Sequence, residues 1–590
     1  RRRLPNHPSV PQRAAWPAWL VALAAPTLPT LVAYNVAPSP TFLNQALAFG
    51  LWAAFVLVLA PAAIRLRPGA PELAIGLLMA AVAWSWGPGS LPSTLALSAL
   101  CTLAAAALLL QAGRVASGGP AVGGAVGDVF VLLCWGLLLA GVFNVLIALV
   151  QVFAPQWAGN DWVAASGLVG RAVGNLRQPN HLSSLLMWAC IACVVLVQLR
   201  RLPWAAGAAL LSALVLAVVL TASRTGLVSV LLLAVWGLLD RRASRPVRGL
   251  LLAAPLVYAV AWWLMSQWAA RTQQAFGGAA RLAETDISSS RFAIWSDTLA
   301  LIAAHPGFGV GWGNFNLAWS LTPFPTRPTA FFDHAHNLPL HLAAEIGLPL
   351  ATAVLALLLG AFGRAAWRAW QQAGDEGVAR RGAVLVVLMI GLHSLLEYPL
   401  WYSYFLLPAA FALGVVLRRP DDAAPAPSRL AERRPAAWVL VAGAMLLLLG
   451  ASLATWDFRR VSQIFQATPG APPLLQRVQE GQRSVFFGHH ADYAAVTSNL
   501  PVADPAQALA RASHYLLDTR FMVAWSRALA AQGDEAGARH LAARLREFRR
   551  PDASGFMAAC ADAASAATAF QCQPPPEPPP SWADFAQKAR

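Results

Sequence analysis

An all-α, polytopic membrane protein is what this chain encodes, and three observations predict it. Of its 590 residues, 57% are hydrophobic and only 12% charged, where a soluble globular chain carries about 25% charged residues. The mean hydropathy is +0.54. The apolar residues stand in unbroken runs about as long as a hydrocarbon core is thick, not in the alternating pattern of a membrane β-barrel. The composition also excludes an ordinary cytosolic enzyme and a disordered protein.

In chain order the runs lie near 16–35, 42–63, 72–88, 94–112, 128–153, 182–199, 204–221, 225–239, 249–268, 338–362, 382–396, 400–417 and 437–456, which predicts about 13 transmembrane helices. The run at 16–35 does not read as a cleaved signal peptide, because no A-x-A site leads from it into a soluble domain. The formal net charge of +16 would suggest nucleic acid only if the basic residues clustered on a soluble domain. They sort by loop instead, so no nucleic acid is implied. With the N-terminus inside, 22 arginines between Arg1 and Arg434 fall in cytoplasmic segments. Seven fall outside before residue 457: Arg171, Arg177, Arg224, Arg271, Arg281, Arg291 and Arg327. Arginine excess marks the cytoplasmic side, so the N-terminus is expected inside and the C-terminus outside.

That parity places two large loops, 154–181 and 269–337, on the outer side together with 457–590. The organisation expected is an N-terminal transmembrane bundle over 1–160, a core over 161–420, a linker and last transmembrane helix over 421–456, and a soluble helical domain over 457–590. Within the last, 505–549 reads as two or three amphipathic helices, and Trp525 to Phe548 resembles one tetratricopeptide-type repeat. The tail from Pro574 (PPPEPPP) reads as an extended or disordered end. Cys101, Cys134, Cys190 and Cys193 lie in apolar runs and read as small core residues. Cys560 and Cys572 lie in the outer segment, where an oxidising compartment permits a disulfide.

Polar residues at the outer edge of a bundle need a water-facing cavity, and four groups stand out. In Gly170 to Leu182, Pro179 starts a helix, and Arg171 and Arg177 stand beside its positive N-terminus. The alternatives are a diphosphate-sized anion or a solvated loop with an ordinary cap. In Thr221 to Gly226, Arg224 sits in a tight turn and either meets an anion or snorkels to lipid phosphate. In Ser288 to Asp297, Arg291 opens an amphipathic helix, and the glycines of His305 to Phe315 read better as a structural turn than as a phosphate loop, since no strand precedes them. The fourth is Asp333 to Gly347, with His334, His336, His341 and Glu345 running into a span. His341 and Glu345, four apart, share a helix face. A neutral histidine here suits a general base, while the spacing is not a standard zinc pattern and a structural role stays open. A further outer turn is Glu397 to Tyr402, whose aromatics also fit an interfacial belt.

The stretches RQPNHL, LTASRTG, SSSRFAIW, HPGFGVGWGNF, HAHN and LLEYPLWYSYF resemble the O-antigen ligase/polymerase superfamily, in particular its PglL-type protein O-oligosaccharyltransferases. The likeness runs through roughly 160–420. The ligase signature is His, then Asn, Ser or Gln, nine residues, Gly, two residues, and Gly, Thr or Tyr. His336, Asn337 and Gly347 meet it, and it departs at its last position, Leu350. The glutamine of RQPNH and the tyrosine of EYPLWY look like the protein-glycosylating branch.

The resemblance implies transfer of an oligosaccharide from undecaprenyl diphosphate to Ser/Thr hydroxyls of an exported acceptor protein such as a pilin. The transfer would occur on the periplasmic face of a Gram-negative inner membrane, without metal or other cofactor. Carried onto this chain, it implies His336 as base or acceptor-orienting residue, with His334 as the second candidate. Arg224 and Arg291 would bind the diphosphate, with Arg171 and Arg177 as further cations, and Gln178, Asn337, Tyr398 and Glu397 would support donor or acceptor. An O-antigen ligase (acceptor lipid A–core) and an O-antigen polymerase use the same donor. A transporter of the lipid-linked glycan would show charged residues at mid-membrane, whereas the polar groups here gather at one face.

Overall fold

The computed structural model describes residues 16–59, 68–115, 126–282, 290–325, 327–418 and 430–587. Arg1, Arg2, Arg3, Arg13, Arg65, Arg67, Arg419 and Arg429, counted above for orientation, lie outside the described residues, as do Ser288 and Ser289. The fold is helical, with one isolated bridge between Val36 and Ser39 among the described residues.

The helices are α1 (Trp16–Thr27), α2 (Phe42–Leu59), α3 (Ala70–Trp86), α4 (Ser93–Val115), α5 (Val126–Phe153), α6 (Pro179–Gln198), α7 (Trp204–Thr221), α8 (Arg224–Leu239) and α9 (Arg245–Thr272). After the short α10 (Gly277–Leu282), α11 (Arg291–Ala304) and α12 (Phe315–Leu321) come α13 (Leu338–Gln371), α14 (Gly374–Ser394), α15 (Ser403–Leu417) and α16 (Leu430–Phe465). Eight helices among the described residues are long and apolar enough to cross a membrane, and five shorter ones are apolar over 10–17 residues. The centre of the bundle is α6, buried along its whole length against α5, α7 and α14. Large apolar side chains elsewhere face outward, among them Leu256, Leu359, Trp438 and Leu446, as expected where lipid is the solvent. Cys134, Cys190 and Cys193 are buried. Cys101 is not: it faces outward from α4, because a lipid-facing surface takes a small apolar side chain as readily as a core does. Cys190 and Cys193 form a Cys-x-x-Cys on α6 but stay unbonded.

α8 starts at Arg224 and ends beside Asp240, whose Oδ2 accepts from Arg381 Nε at 2.8 Å. α14 runs the other way, from Arg380 and Arg381 near its start to Glu397 just past its end. One end of the bundle therefore gathers Asp240, Arg380, Arg381 and Arg418, and the opposite end gathers Arg224 and Glu397.

α13 is two half-helices. Gly347 interrupts it with φ 77° and ψ 161°, a region open essentially to glycine alone. The break frees two carbonyls and an amide for a neighbour: Val310 N donates to Ala344 O at 2.8 Å and Gly311 N to Glu345 O at 2.8 Å, while Leu348 N donates to Pro306 O at 2.9 Å. The glycines of HPGFGVGWGNF are thus the close-approach surface for a broken helix, with Gly309, Gly311 and Gly313 all at positive φ. A Cβ on Gly347 would lie 2.2 Å from Gly307 O. Gly347→Ala is accordingly expected to lower stability by about 2 kcal/mol or more, read as a lower midpoint of thermal unfolding in detergent.

The C-terminal helices are α17 (Leu474–Gly481), α18 (Gly488–Thr497), α19 (Pro505–Ser513), α20 (Thr519–Ala531), α21 (Glu535–Glu547), α22 (Ser554–Met557), α23 (Ala563–Thr568) and α24 (Trp582–Gln587). Cys560 and Cys572 are joined by a disulfide across a separation of 12 residues. α20, α21, α22 and α24 share one hydrophobic core with α12 and the first half of α13, through Phe521, Trp525, Phe548, Trp319 and Leu342, while α17 and α18 pack with the end of α16 in a second cluster around Val478 and Ala491. Arg327 pins the junction: its Nε donates to Glu547 Oε2 at 3.0 Å, its Nη1 to Trp319 O at 2.8 Å, and its plane lies over Phe548 at 4.7 Å. The tail does not end extended: Trp582 Nε1 donates to His305 Nε2 at 3.3 Å and Phe585 is buried in the shared core.

Two buried histidines hold the same junction. His514 Nδ1 donates to Asn314 Oδ1 at 2.7 Å and His540 Nε2 to Leu321 O at 2.8 Å. Burial depresses each imidazole to about 4. Because these folded-state values lie below the unfolded 6.5, the stability they lend is full above pH 6.5 and falls away as pH drops towards about 4. Protease sensitivity of 457–590 should rise across that window, and less so in His540→Gln.

Candidate functional site

The site is built at four helix starts. Gln178 caps α6, its Oε1 accepting from His181 N at 2.7 Å. Ser223 caps α8 by accepting from Gly226 N at 3.1 Å, and Asn337 caps α13 by accepting from Leu340 N at 3.1 Å. Arg291 is the first residue of α11. Each helix start carries free amides and a positive dipole end; residues at the starts of α6, α11 and α13 reach one carboxylate, and the start of α8 joins them through Asn180.

That carboxylate is Glu397. Its Oε1 accepts from Arg291 Nη2 at 2.5 Å and from Asn180 Nδ2 at 3.0 Å, and its Oε2 lies 3.6 Å from His336 Nε2. Arg291 Nε donates to Leu396 O at 2.8 Å, and Ser223 Oγ to Asn180 Oδ1 at 2.7 Å. RQPNHL, SSSRFAIW and HAHN therefore meet the acid of EYPLWY directly, and LTASRTG joins them through the Ser223–Asn180 hydrogen bond. Asn180 and Ser223 are the residues the sequence did not single out as site members. The cap signals that mark them sit inside the motifs.

His336 has φ 53°, a left-handed conformation uncommon outside glycine. Arg177 and Ser290 share it, so backbone strain gathers here, as it does at binding and catalytic sites. His336 Nδ1 lies 3.0 Å from His334 O. A carbonyl only accepts, so Nδ1 carries the proton and Nε2 presents its lone pair. Burial holds this imidazole below its ordinary range, against the pull of Glu397 and with the help of Arg291, so it is neutral at pH 7. His334 is differently engaged: it stacks on Tyr398 with centroids 4.2 Å apart, faces His341 at 5.0 Å, and meets Asp333 Oδ1 at 2.9 Å. Burial, then the nearby acidic charges, raise the Tyr398 phenol, so it remains a hydrogen-bond donor.

His341 and Glu345 share a face but stand 3.6 Å apart, too far for a hydrogen bond. Glu345 Oε1 instead accepts from Gly313 N at 2.9 Å and Phe315 N at 3.2 Å, and so ties down the glycine loop. Among the basic residues, Arg224 Nη2 donates to Arg281 O at 3.0 Å and Arg171 Nε to Thr221 O at 3.0 Å, which places both beside the α7–α8 turn. Arg177 is turned away towards Ala33 O. Asn337 has both polar ends engaged, since its Nδ2 donates to Leu395 O at 3.1 Å.

The comparisons with known proteins agree with the motifs. Residues 207–355 match the family described as O-Antigen ligase, 382–555 the one described as Virulence factor membrane-bound polymerase, C-terminal, and 172–197 the one described as Protein glycosylation ligase. Asn180, Ser223, Arg291, His336 and Glu397 all fall within these matches. The chain is similar to a General O-oligosaccharyltransferase of Acinetobacter baylyi (strain ATCC 33305 / BD413 / ADP1), with 26% identity over 265 residues, 43% of this chain and 44% of the relative. It is likewise similar to a ComP-specific O-oligosaccharyltransferase of the same organism, with 25% identity over 299 residues, 48% of this chain and 50% of the relative. The chain thus spans about half the length of the curated relatives it matches.

Proposed function

We propose that this protein transfers an oligosaccharide from undecaprenyl diphosphate to a Ser/Thr hydroxyl of an exported protein, pilin-like in kind, at the periplasmic face of the inner membrane. The observation that carries the reading is the meeting of Arg291, Asn180 and the bare Nε2 of His336, each at a helix start, around Glu397, with the start of α8 joined through Asn180. The named relatives favour a protein acceptor. The arginine-rich opposite end of the bundle, with Arg380, Arg381 and Arg418, supports a cytoplasmic placement of that end.

In this reading His336 Nε2 takes the hydroxyl proton as the acceptor oxygen attacks the anomeric carbon. The bond from that carbon to the phosphate oxygen breaks, and its electron pair leaves with the diphosphate. Fixed positive charge at Arg291 and Arg224 stabilises the leaving group, whose charge grows as the bond breaks. Arginine suits the task because it stays charged and grips phosphate oxygens in pairs. His336 is the base in preference to His334, whose ring is stacked between Tyr398 and His341. Attack from the face opposite the leaving group predicts inversion. NMR of the product linkage should show an anomeric configuration opposite to the donor's, and retention would remove the direct-attack step.

The test is glycan mass on a candidate pilin, in a cell lacking its own transferases and supplied with a lipid-linked glycan. Glycan on the pilin with the wild type is the expected result. The O-Antigen ligase match over 207–355 makes lipid A–core the second acceptor to inspect, and glycan there instead would make the chain a ligase.

A further inference from the structure

We propose that Glu397 is a shared counter-ion that couples donor binding to the strength of the base: it neutralises Arg291 before the donor arrives and is released to His336 when the diphosphate takes up the arginine's charge. The proposal rests on the transfer reading above and gives Glu397 a role through the protein groups it contacts, Arg291, Asn180 and His336, so it acts as a positioning residue.

The two oxygens of Glu397 are divided between the two halves of the chemistry. Oε1 is held by Arg291 at 2.5 Å and by Asn180 at 3.0 Å, and Oε2 stands 3.6 Å from His336 Nε2. At that distance the carboxylate is adjacent to the imidazole but not bonded to it. The side chains of His336 and Glu397 are 14% and 11% exposed, so their interaction is little weakened by water. Other titratable groups face His336 from every side: His334 and Asp333 on its own loop, Tyr398 beside Glu397, His341 on α13 and Arg291 on α11. Of these, Arg291 is the fixed cation that opposes protonation of His336, and Glu397 favours it.

A diphosphate seated on Arg291 cancels that cation's share of the opposition, with burial and His334 still lowering the imidazole, and loosens the grip on Oε1, since two anions then compete for one guanidinium. Asn180, anchored by Ser223, retains the carboxylate within reach while it turns. The base would thus gain proton affinity only when a leaving group is in place, which discourages proton uptake at a site with no donor.

The test is an NMR titration of the ring-labelled histidines in nanodiscs, with the His336 signal assigned by its absence in His336→Gln. Undecaprenyl diphosphate, the leaving group itself, serves as the probe. In the wild type the His336 titration midpoint should rise by about one pH unit when the probe is added, the size expected when a nearby charge is neutralised. In Glu397→Gln the midpoint should start lower and the rise should shrink by at least half, and Glu397→Asp should restore part of it. An equal rise in wild type and Glu397→Gln, or no rise in the wild type, overturns the proposal. Because this readout requires no turnover, a failure to glycosylate pilin would count against the transfer reading alone.

Discussion

His336→Ala is expected to reduce glycan transfer by about 10²- to 10⁴-fold, the usual contribution of a positioned general base, at unchanged abundance in the membrane. The change removes a ring whose tautomer is fixed with Nε2 bare beside Glu397. It does not relieve the left-handed φ of 53°, since alanine tolerates that conformation poorly. A Gly variant separates the two effects: His336→Gly accommodates the backbone and should be as inactive as the alanine variant. His334→Ala should be milder in catalysis and harsher in folding, because it opens a void between Tyr398, His341 and Trp401. Pilin glycosylation at matched expression, with thermal stability of each variant alongside, separates these outcomes. A retained rate in His336→Ala would move the base to another group.

The pH dependence follows from the same burial. His336 must be neutral to accept a proton, and its depressed value in the free enzyme keeps it so below the ordinary histidine range. The acidic limb of kcat/KM, which reports the free enzyme, should therefore lie below that of an exposed histidine.

The membrane class and the transmembrane helices were legible because they depend on local properties: apolar runs and a proline opening α6. The site was legible as a set of fragments but not as an arrangement. Asn180 reaches Glu397 across 217 residues of chain and Arg291 reaches it across 106, and no periodicity encodes such pairings. For that reason Glu397 reads from sequence only as one of several residues expected to support donor or acceptor, while in the fold Arg291, Asn180 and His336, from three other motifs, meet at it. The glycine-rich stretch reads from sequence as a structural turn, and the fold agrees: its amides meet the carbonyls that Gly347 exposes on α13. What the sequence does not show is the broken helix that it packs against. Of the C-terminal helices only those within 505–549 were legible, and the shared core with α12 and α13 depends on side chains such as Trp319 and Phe548 meeting across the fold. Removing 457–590 would strip that core bare, so a truncation tests folding before it tests acceptor choice.

Arg291→Leu is expected to lower transfer by about 10²- to 10³-fold, the range seen when one preorganised donor to a developing anion is lost. Two consequences combine. The diphosphate loses a fixed cation at the start of α11, where the dipole also points, and Glu397 is left with Asn180 alone. Arg291→Lys decides whether charge or shape matters. The guanidinium contacts two places at once, Leu396 O through Nε and Glu397 through Nη2, and an ammonium on a flexible stem cannot hold both in one geometry. The lysine variant should therefore recover the apparent affinity for donor, which needs charge, while leaving kcat depressed about tenfold, which needs the fork. Arg224→Lys offers the internal comparison. Its guanidinium is anchored by a backbone carbonyl rather than by the acid beside the base, so its loss should be felt mainly in donor KM. Equal kinetics for the two lysine variants would mean that the arginines act only as charge, and the arrangement around Glu397 would then have to be explained by folding alone.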